Sequence, residues 1–337
     1  MKGMSESKDS LREMIALKRT PASVSERNLI IESPGTFPML VQPSVKGVAL
    51  PDWVEENRQS TKEALLRHGA MLFRGFTLSG IEEFEQFMKA ISGELLDYTY
   101  GSTPRTQVKG RVYTSTEYPP NQSIPMHNEM SYARSWPETI YFYCVKAAEQ
   151  GGETPIADSR QVFNIIDPTV KKKFIEKNVM YVRNYGEGLD LTWEQAFRTS
   201  SRWEVEEFCR AAEIEFEWKD GGRLRTRQVC QSITHHPRTS DTVWFNQAHL
   251  FHVSSLEPRF REGLLSQFSE DDLPRNAYYG DGSQIEDSAL KEIRSAYQQA
   301  SVTSPWQQGD ILMLDNMLVA HGRAPYVGPR SIVVGMA

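Results

Sequence analysis

Two short segments carry residues whose types and spacing suit metal chemistry. In "SIPMHNEMSY", residues 123 to 132, His127 and Glu129 stand two positions apart. On an extended backbone, residues i and i+2 point to the same side, so an imidazole nitrogen and a carboxylate oxygen can meet at one point while Asn128 faces away. A second histidine would complete two histidines and one carboxylate, the facial set of non-heme Fe(II) oxygenases. His321, in "DNMLVAHGRAPYVGPR", follows an apolar stretch that reads as a buried strand and precedes a glycine, where a side chain could emerge at the mouth of a barrel. A histidine and an acid two apart also arise on ordinary surface strands, so neither the His127–Glu129 pair nor His321 carries the assignment alone.

The elements that must position these residues are legible from pattern and punctuation. Residues 1–35 are charged and Ser-rich and read as a polar tail or arm, and residues 36–337 as a single domain. The domain opens with an amphipathic helix, "DWVEENRQSTKEALLRHG", ended by Gly69, then a strand, "AMLFRGF", then a second helix for which Ser79 and Glu82 form a capping box. The centre is strand-rich: "ETIYFYCVKAA", "GGETPIAD", "MYVRNYG", "EIEFEWK", "LRTRQVCQSITHH" and "TVWFNQ" are enriched in β-branched and aromatic residues. Helical insertions fall at about 160–178, 192–213 and 255–300; Asp167 and Pro168 start one helix, and a Ser201…Glu204 capping box starts another. The strands "GDILMLDN" and "RSIVVGMA" close the chain. Many short strands with inserted helices predict an α+β, mainly β architecture built on a double-sheet barrel or jelly roll. Two turn-rich stretches, "STPRTQVKGRVYTSTEYPPNQ" and "LPRNAYYGDGS", read as a lid over the site.

Composition narrows the function. A formal net charge of -6 lacks the basic excess needed to displace counterions from phosphate, which excludes nucleic acid as the expected partner and leaves a small molecule or a protein. Three cysteines without a CxxC motif suit a reducing compartment. No apolar run reaches the roughly 18 residues of a membrane span, and the N-terminus has no signal-peptide core. The expected location is the cytoplasm; the oligomeric state is left open. Other histidines have plainer readings. His235 and His236 sit beside a proline in a hairpin turn, and His68 lies at a helix C-terminus, favourably placed against the dipole. His249 and His252 fit a core or pocket position, and Trp244, Phe245 and Phe251 fit the core.

The segments around the candidate ligands resemble the TauD/TfdA family of Fe(II)- and 2-oxoglutarate-dependent dioxygenases. The resemblance runs from about Leu40 to Ala337 and is carried by "RHGAMLFRGF", "PMHNEMSY", "GGETPIAD", "WFNQAHLFH" and "GDILMLDNMLVAHGRAPYVGPRSIVVGMA". Within the family it looks most similar to the SyrP-like branch of the syringomycin-pathway hydroxylase, whose members act on amino acids in natural-product assembly. The resemblance implies a cupin-like double-stranded β-helix with Fe(II), 2-oxoglutarate and O2. It makes His127, Glu129 and His321 the catalytic metal ligands. Arg330, nine after His321, would grip the far carboxylate of 2-oxoglutarate, and Thr154 would add a hydrogen bond to it. A guanidinium offers a planar fork matched to a carboxylate, so an arginine there makes physical sense independently. Thr154 also reads as a packing residue of a strand, Arg323 either reaches the site or pairs with an acid, and Asn128 and Tyr132 are candidates for supporting or substrate-side roles.

The family pattern more often has Asp where this chain has Glu129, which weakens transfer of a substrate by analogy. Halogenating relatives replace this carboxylate with a small residue, so retention of Glu129 disfavours halogenation. The implied reaction is hydroxylation of an unactivated C–H bond of an amino acid, free or tethered to a carrier protein, with release of succinate and carbon dioxide. The alternatives are desaturation, epoxidation or cyclisation by the same iron chemistry and, more remotely, a non-catalytic barrel. A zinc hydrolase is weaker, since no separate general base stands near the ligands.

Overall fold

The strand Thr139–Lys146 shows how the centre is built. Ile140, Phe142 and Cys144 face one side, Tyr141 and Tyr143 the other, and all five are buried. Its neighbours repeat the division: Leu312 and Leu314 against Ile311 and Met313 in the strand Ile311–Asp315, and Ala70 and Leu72 against Met71 and Phe73 in Ala70–Phe73. A sheet apolar on both faces needs cover on both. The outer face is covered by the helices Leu50–His68 and Ile81–Ser92, through Trp53, Leu65, Phe84, Phe87 and Met88. Burying each such large side chain contributes about 1.5–3 kcal/mol. The inner face meets Ile156 and Val319 of a second sheet, together with Val243 and Phe245.

The computed structural model describes residues 37–98, 100, 105–116, 118–186 and 190–337; the segment read as a polar tail lies outside them. The larger sheet has seven strands in the order Met39–Val41, Ala70–Phe73, Ile311–Asp315, Thr139–Lys146, Ser331–Met336, Val112–Thr114 and Gln107–Lys109. The smaller has four, Ser301–Val302, Ile156–Asp158, Val319–Arg323 and Ile124–His127. Together they form the expected double-stranded β-helix. A further four-stranded sheet, Glu215–Trp218, Leu224–Cys230, Val179–Tyr185 and Arg275–Tyr279, packs with the helices Pro168–Lys177, Arg202–Ala211 and Asp287–Ala300 around a separate apolar core. No helix among the described residues is long and apolar enough to cross a membrane.

Local signals held at some helix starts and failed at others. Asp167 caps Pro168–Lys177 by accepting the Thr169 amide at 2.7 Å. Ser201 accepts the Glu204 amide at the start of Arg202–Ala211, but the Glu204 carboxylate takes the Thr199 hydroxyl, so only half of that box forms. The Ser79–Glu82 box is absent. Gly80, at φ 125°, delays the helix to Ile81, and the Ser79 amide donates instead to Glu83 Oε2 at 2.7 Å. The stretch from Leu273 to Ser283 is not a lid either. Its Arg275–Tyr279 portion pairs with Val179–Tyr185 and is buried from Asn276 onward, which confines the turn to Gly280–Ser283.

Candidate metal centre

His127 ends the strand Ile124–His127, at one edge of the smaller sheet, and is the direct antiparallel register partner of His321. Opposed residues on paired strands hold their Cβ atoms about 5 Å apart, and the two imidazole centroids lie 4.7 Å apart. His321 therefore does not emerge beyond its strand; it sits in the middle of Val319–Arg323, all of which is buried. The next residue must be small, because a Cβ at Gly322 would lie 2.7 Å from the Ile124 carbonyl oxygen. Glu129 follows just past the end of the His127 strand and is 4% exposed. One ligand atom from each of His127, Glu129 and His321 falls within 4.8 Å of the others.

The backbone around these residues is clamped by polar side chains, two of them singled out from the sequence, Asn128 and His249, and two missed there, Asn316 and Gln247. Asn316 accepts the Glu129 amide on Oδ1 at 2.7 Å and donates Nδ2 to the Glu129 carbonyl at 2.9 Å and to the Pro137 carbonyl at 2.8 Å. The Asn128 side chain faces away from the ligands, as expected, and donates to the Asn316 carbonyl and to Ser159 Oγ. From behind, Gln247 Nε2 donates to the Asn128 carbonyl at 2.8 Å and His249 Nε2 to the Met126 carbonyl at 2.9 Å, so the two carbonyls flanking His127 are both fixed. His249 is thus a buried brace, and burial lowers its pKa to about 3. A signal for Asn316 existed: Asp315 and Asn316 interrupt an otherwise apolar run, and buried polar groups are retained where they are fully bonded. Asp315 in turn bonds His236, which is buried at the base of the Ile233–His235 and Thr242–Trp244 hairpin.

The donor set fits a divalent transition metal. The His127 Nδ1–H donates to the Pro125 carbonyl at 2.9 Å, leaving Nε2 for ligation, an arrangement typical of metal-binding histidines. Burial is the main cause that lowers the pKa of His127, partly opposed by Glu129. His321 is lowered further, by burial and then by His127 and Arg105, and its Nδ1 is buried without a hydrogen-bond partner. Two neutral imidazoles and a carboxylate suit Fe(II). One contact was not anticipated: Arg105 donates to Glu129 Oε2 at 2.6 Å, with both side chains at least 95% buried.

A cavity opens beside the histidines, lined among others by Phe142, Thr154, Arg323, Arg330, Ile332 and Arg105. Arg330 donates Nε to the Gly152 carbonyl at 2.8 Å. No carboxylate among the described residues pairs with it, and burial, then Arg323, lowers its pKa to about 10. Thr154 Oγ1 accepts the Trp306 indole N–H at 3.2 Å; since indole only donates, the threonine hydroxyl proton is left for another acceptor. Among the described residues Arg323 pairs with no acid: it donates to the carbonyls of Tyr118, Pro119 and Gln122, bracing the loop before His127. Tyr132 donates to the Tyr100 carbonyl and lies in an aromatic cluster with Tyr181 and Phe251.

A jelly roll with two histidines and a glutamate converging on its smaller sheet defines a non-heme iron dioxygenase. Residues 34–336 match the taurine catabolism dioxygenase TauD, TfdA family, and the chain belongs to it. It is 42% identical over 274 residues to the dapdiamide synthesis protein DdaC of Enterobacter agglomerans, covering 81% of this chain and 83% of that one. To a clavaminate synthase-like protein of Arabidopsis thaliana it is 28% identical, covering 89% and 93%. Among solved structures, PvcB of Pseudomonas aeruginosa shares the fold at 16% identity and a TM-score of 0.52, covering 88% and 84%. An asparagine oxygenase shares it at 11% identity and 0.53, covering 85% and 79%. The enzyme class is that of Fe(II)- and 2-oxoglutarate-dependent dioxygenases.

Proposed function

We propose that this dioxygenase hydroxylates an unactivated C–H bond of an amino acid, free or tethered to a carrier protein, in natural-product biosynthesis. In this reading His127, Glu129 and His321 hold the iron, while Arg330 and Thr154 hold the distal carboxylate of 2-oxoglutarate. The observation that carries it is a half-buried guanidinium with no acid partner among the described residues, Arg330, in the same cavity as the paired histidines. A partly desolvated charge without a counter-ion is costly, so such a site calls for an anionic ligand. The biosynthetic role draws support from the dapdiamide synthesis relative, and the amino-acid substrate from the asparagine oxygenase, whose structure holds Fe(II), 3-hydroxyasparagine and succinate. Three free, buried cysteines accord with a reducing cytoplasm. Residues 36–337 act as one catalytic unit.

Bound here, Fe(II) and 2-oxoglutarate supply dioxygen activation and oxidising power, with succinate and carbon dioxide as the cosubstrate's products. The chain supplies geometry and environment. Burial keeps both imidazoles neutral, Asn316 fixes the Glu129 backbone, and Gln247 and His249 fix His127 from behind. Phe142, Ile124 and Ile332 give the cavity apolar walls that exclude water from the reacting C–H bond. Arg330→Ala tests the cosubstrate assignment. Removing a charge-assisted contact in a partly buried pocket costs about 2–5 kcal/mol, roughly thirtyfold or more in affinity. Anaerobic titration of the Fe(II) enzyme with 2-oxoglutarate, read from its visible charge-transfer band, measures this; an unchanged dissociation constant overturns the assignment. Succinate release with an amino-acid panel then tests the substrate class.

A further inference from the structure

Arg105 is the least expected group in the centre. Its side chain is 3% exposed, stacked 4.5 Å from the Tyr98 ring centroid, and it lines the cavity beside His127 and His321. One nitrogen bonds Glu129, but Nε and the other terminal nitrogen are buried without any hydrogen-bond partner. Guanidinium donors left idle at such depth carry the full cost of their lost hydration. Charge points the same way. Among the described residues the cavity is lined by three guanidiniums, those of Arg105, Arg323 and Arg330, and by no carboxylate. Arg323 is engaged by three backbone carbonyls, and Arg330 is the anchor already assigned to one end of 2-oxoglutarate. A divalent ion and a doubly charged cosubstrate cancel each other, and Glu129 cancels one of the three guanidiniums. Two positive charges are left over.

We infer that Arg105 forms a second carboxylate subsite, at the metal end of the cavity, and that the idle donors bind a carboxylate group there. The chemistry fits a carboxylate because the Nη2 proton that Glu129 leaves free, with the N–H of the idle nitrogen beside it, makes an edge of two parallel N–H groups matched to two oxygens. The carboxylate belongs either to the oxidised substrate, which then carries a free acid group close to the reacting carbon, or to the metal-proximal end of 2-oxoglutarate. The inference rests on the proposed iron and 2-oxoglutarate reading.

The test uses the full chain loaded with Mn(II), which binds without turnover and compensates Glu129 when Arg105 is removed. Isothermal titration gives the dissociation constant of 2-oxoglutarate for wild type, Arg105→Gln, Arg105→Lys and Arg330→Gln. A second titration, at saturating 2-oxoglutarate, uses N-acetyl amino acids paired with their primary amides. The expected result for a substrate carboxylate is an acid-over-amide preference of tenfold or more, abolished in Arg105→Gln, partly kept in Arg105→Lys, with 2-oxoglutarate binding unchanged. A tenfold loss of 2-oxoglutarate affinity in Arg105→Gln assigns the subsite to the cosubstrate instead. If both affinities stay within twofold of wild type, or Arg105→Gln loses only Mn(II), Arg105 serves Glu129 alone and the inference is overturned. Arg330→Gln separates the two readings: should it and wild type bind 2-oxoglutarate equally, the cosubstrate reading fails whatever Arg105 does.

Discussion

Replacing Asn316 by alanine would remove the clamp on Glu129 without touching a proposed ligand. Three side-chain hydrogen bonds disappear, two to the Glu129 backbone and one to the Pro137 carbonyl, all at a fully buried residue. Each contributes about 1 kcal/mol net, so the loss is about 3 kcal/mol and more if no water enters to satisfy the exposed groups. For a chain of this size the melting temperature should fall by roughly 6 °C, at about 2 °C per kcal/mol. The effect on the metal is separable. Outer-shell partners that orient a ligand typically carry about 10–100-fold in metal affinity, and Asn316 sets where the Glu129 carboxylate begins. Chelator competition against Fe(II) or Zn(II), with thermal unfolding of the metal-free protein alongside, measures both quantities. A destabilised variant with wild-type metal affinity would show that Asn316 supports the fold and leaves Glu129 where it was, which refutes the reasoning.

Alanine at His127, Glu129 or His321 should abolish tight metal binding while the far-ultraviolet spectrum is kept; of the three, Glu129→Ala should be least stable when metal-free, because it strands Arg105 in a buried site. Wild-type metal content in any one removes that residue from the ligand set. Gly152→Ala should lower 2-oxoglutarate affinity by tenfold or more with metal binding intact. Gly152 adopts φ 75°, and a Cβ there would sit 3.0 Å from Arg330 Cδ and Nε; an unchanged affinity in anaerobic titration refutes this.

The legible parts of this protein are those that depend on neighbours in sequence. His127 and Glu129 share a side because of the two-residue period, and the alternation of Tyr141 and Tyr143 with Phe142 and Cys144 marks a strand buried on both faces. The direct pairing of His127 with His321 is a register between strands from opposite halves of the chain, and no local pattern encodes it. Arg105 was hidden for a related reason: in a turn-rich stretch an arginine reads as solvated, and only the tertiary fold carries it to Glu129. The stretch from Leu273 misled in the opposite direction, since Pro274, Gly280 and Gly282 suggested one long loop while the short strand between them was overlooked.

The position of His127 has a kinetic consequence. One of the three proposed ligands, His127, rides on a sheet edge, where one side of the strand lacks a neighbouring strand among the described residues and opening needs far less than global unfolding. An ion held there would act as a rivet between the terminal strand and the one inside it, and its escape would be a fraying event. Iron retention and heat resistance become independent properties. A substitution that tightens the outer helix Leu50–His68 should raise the melting temperature and leave the rate of metal loss to a chelator unchanged, whereas weakening the Gln247 or His249 brace should hasten that loss with little effect on melting.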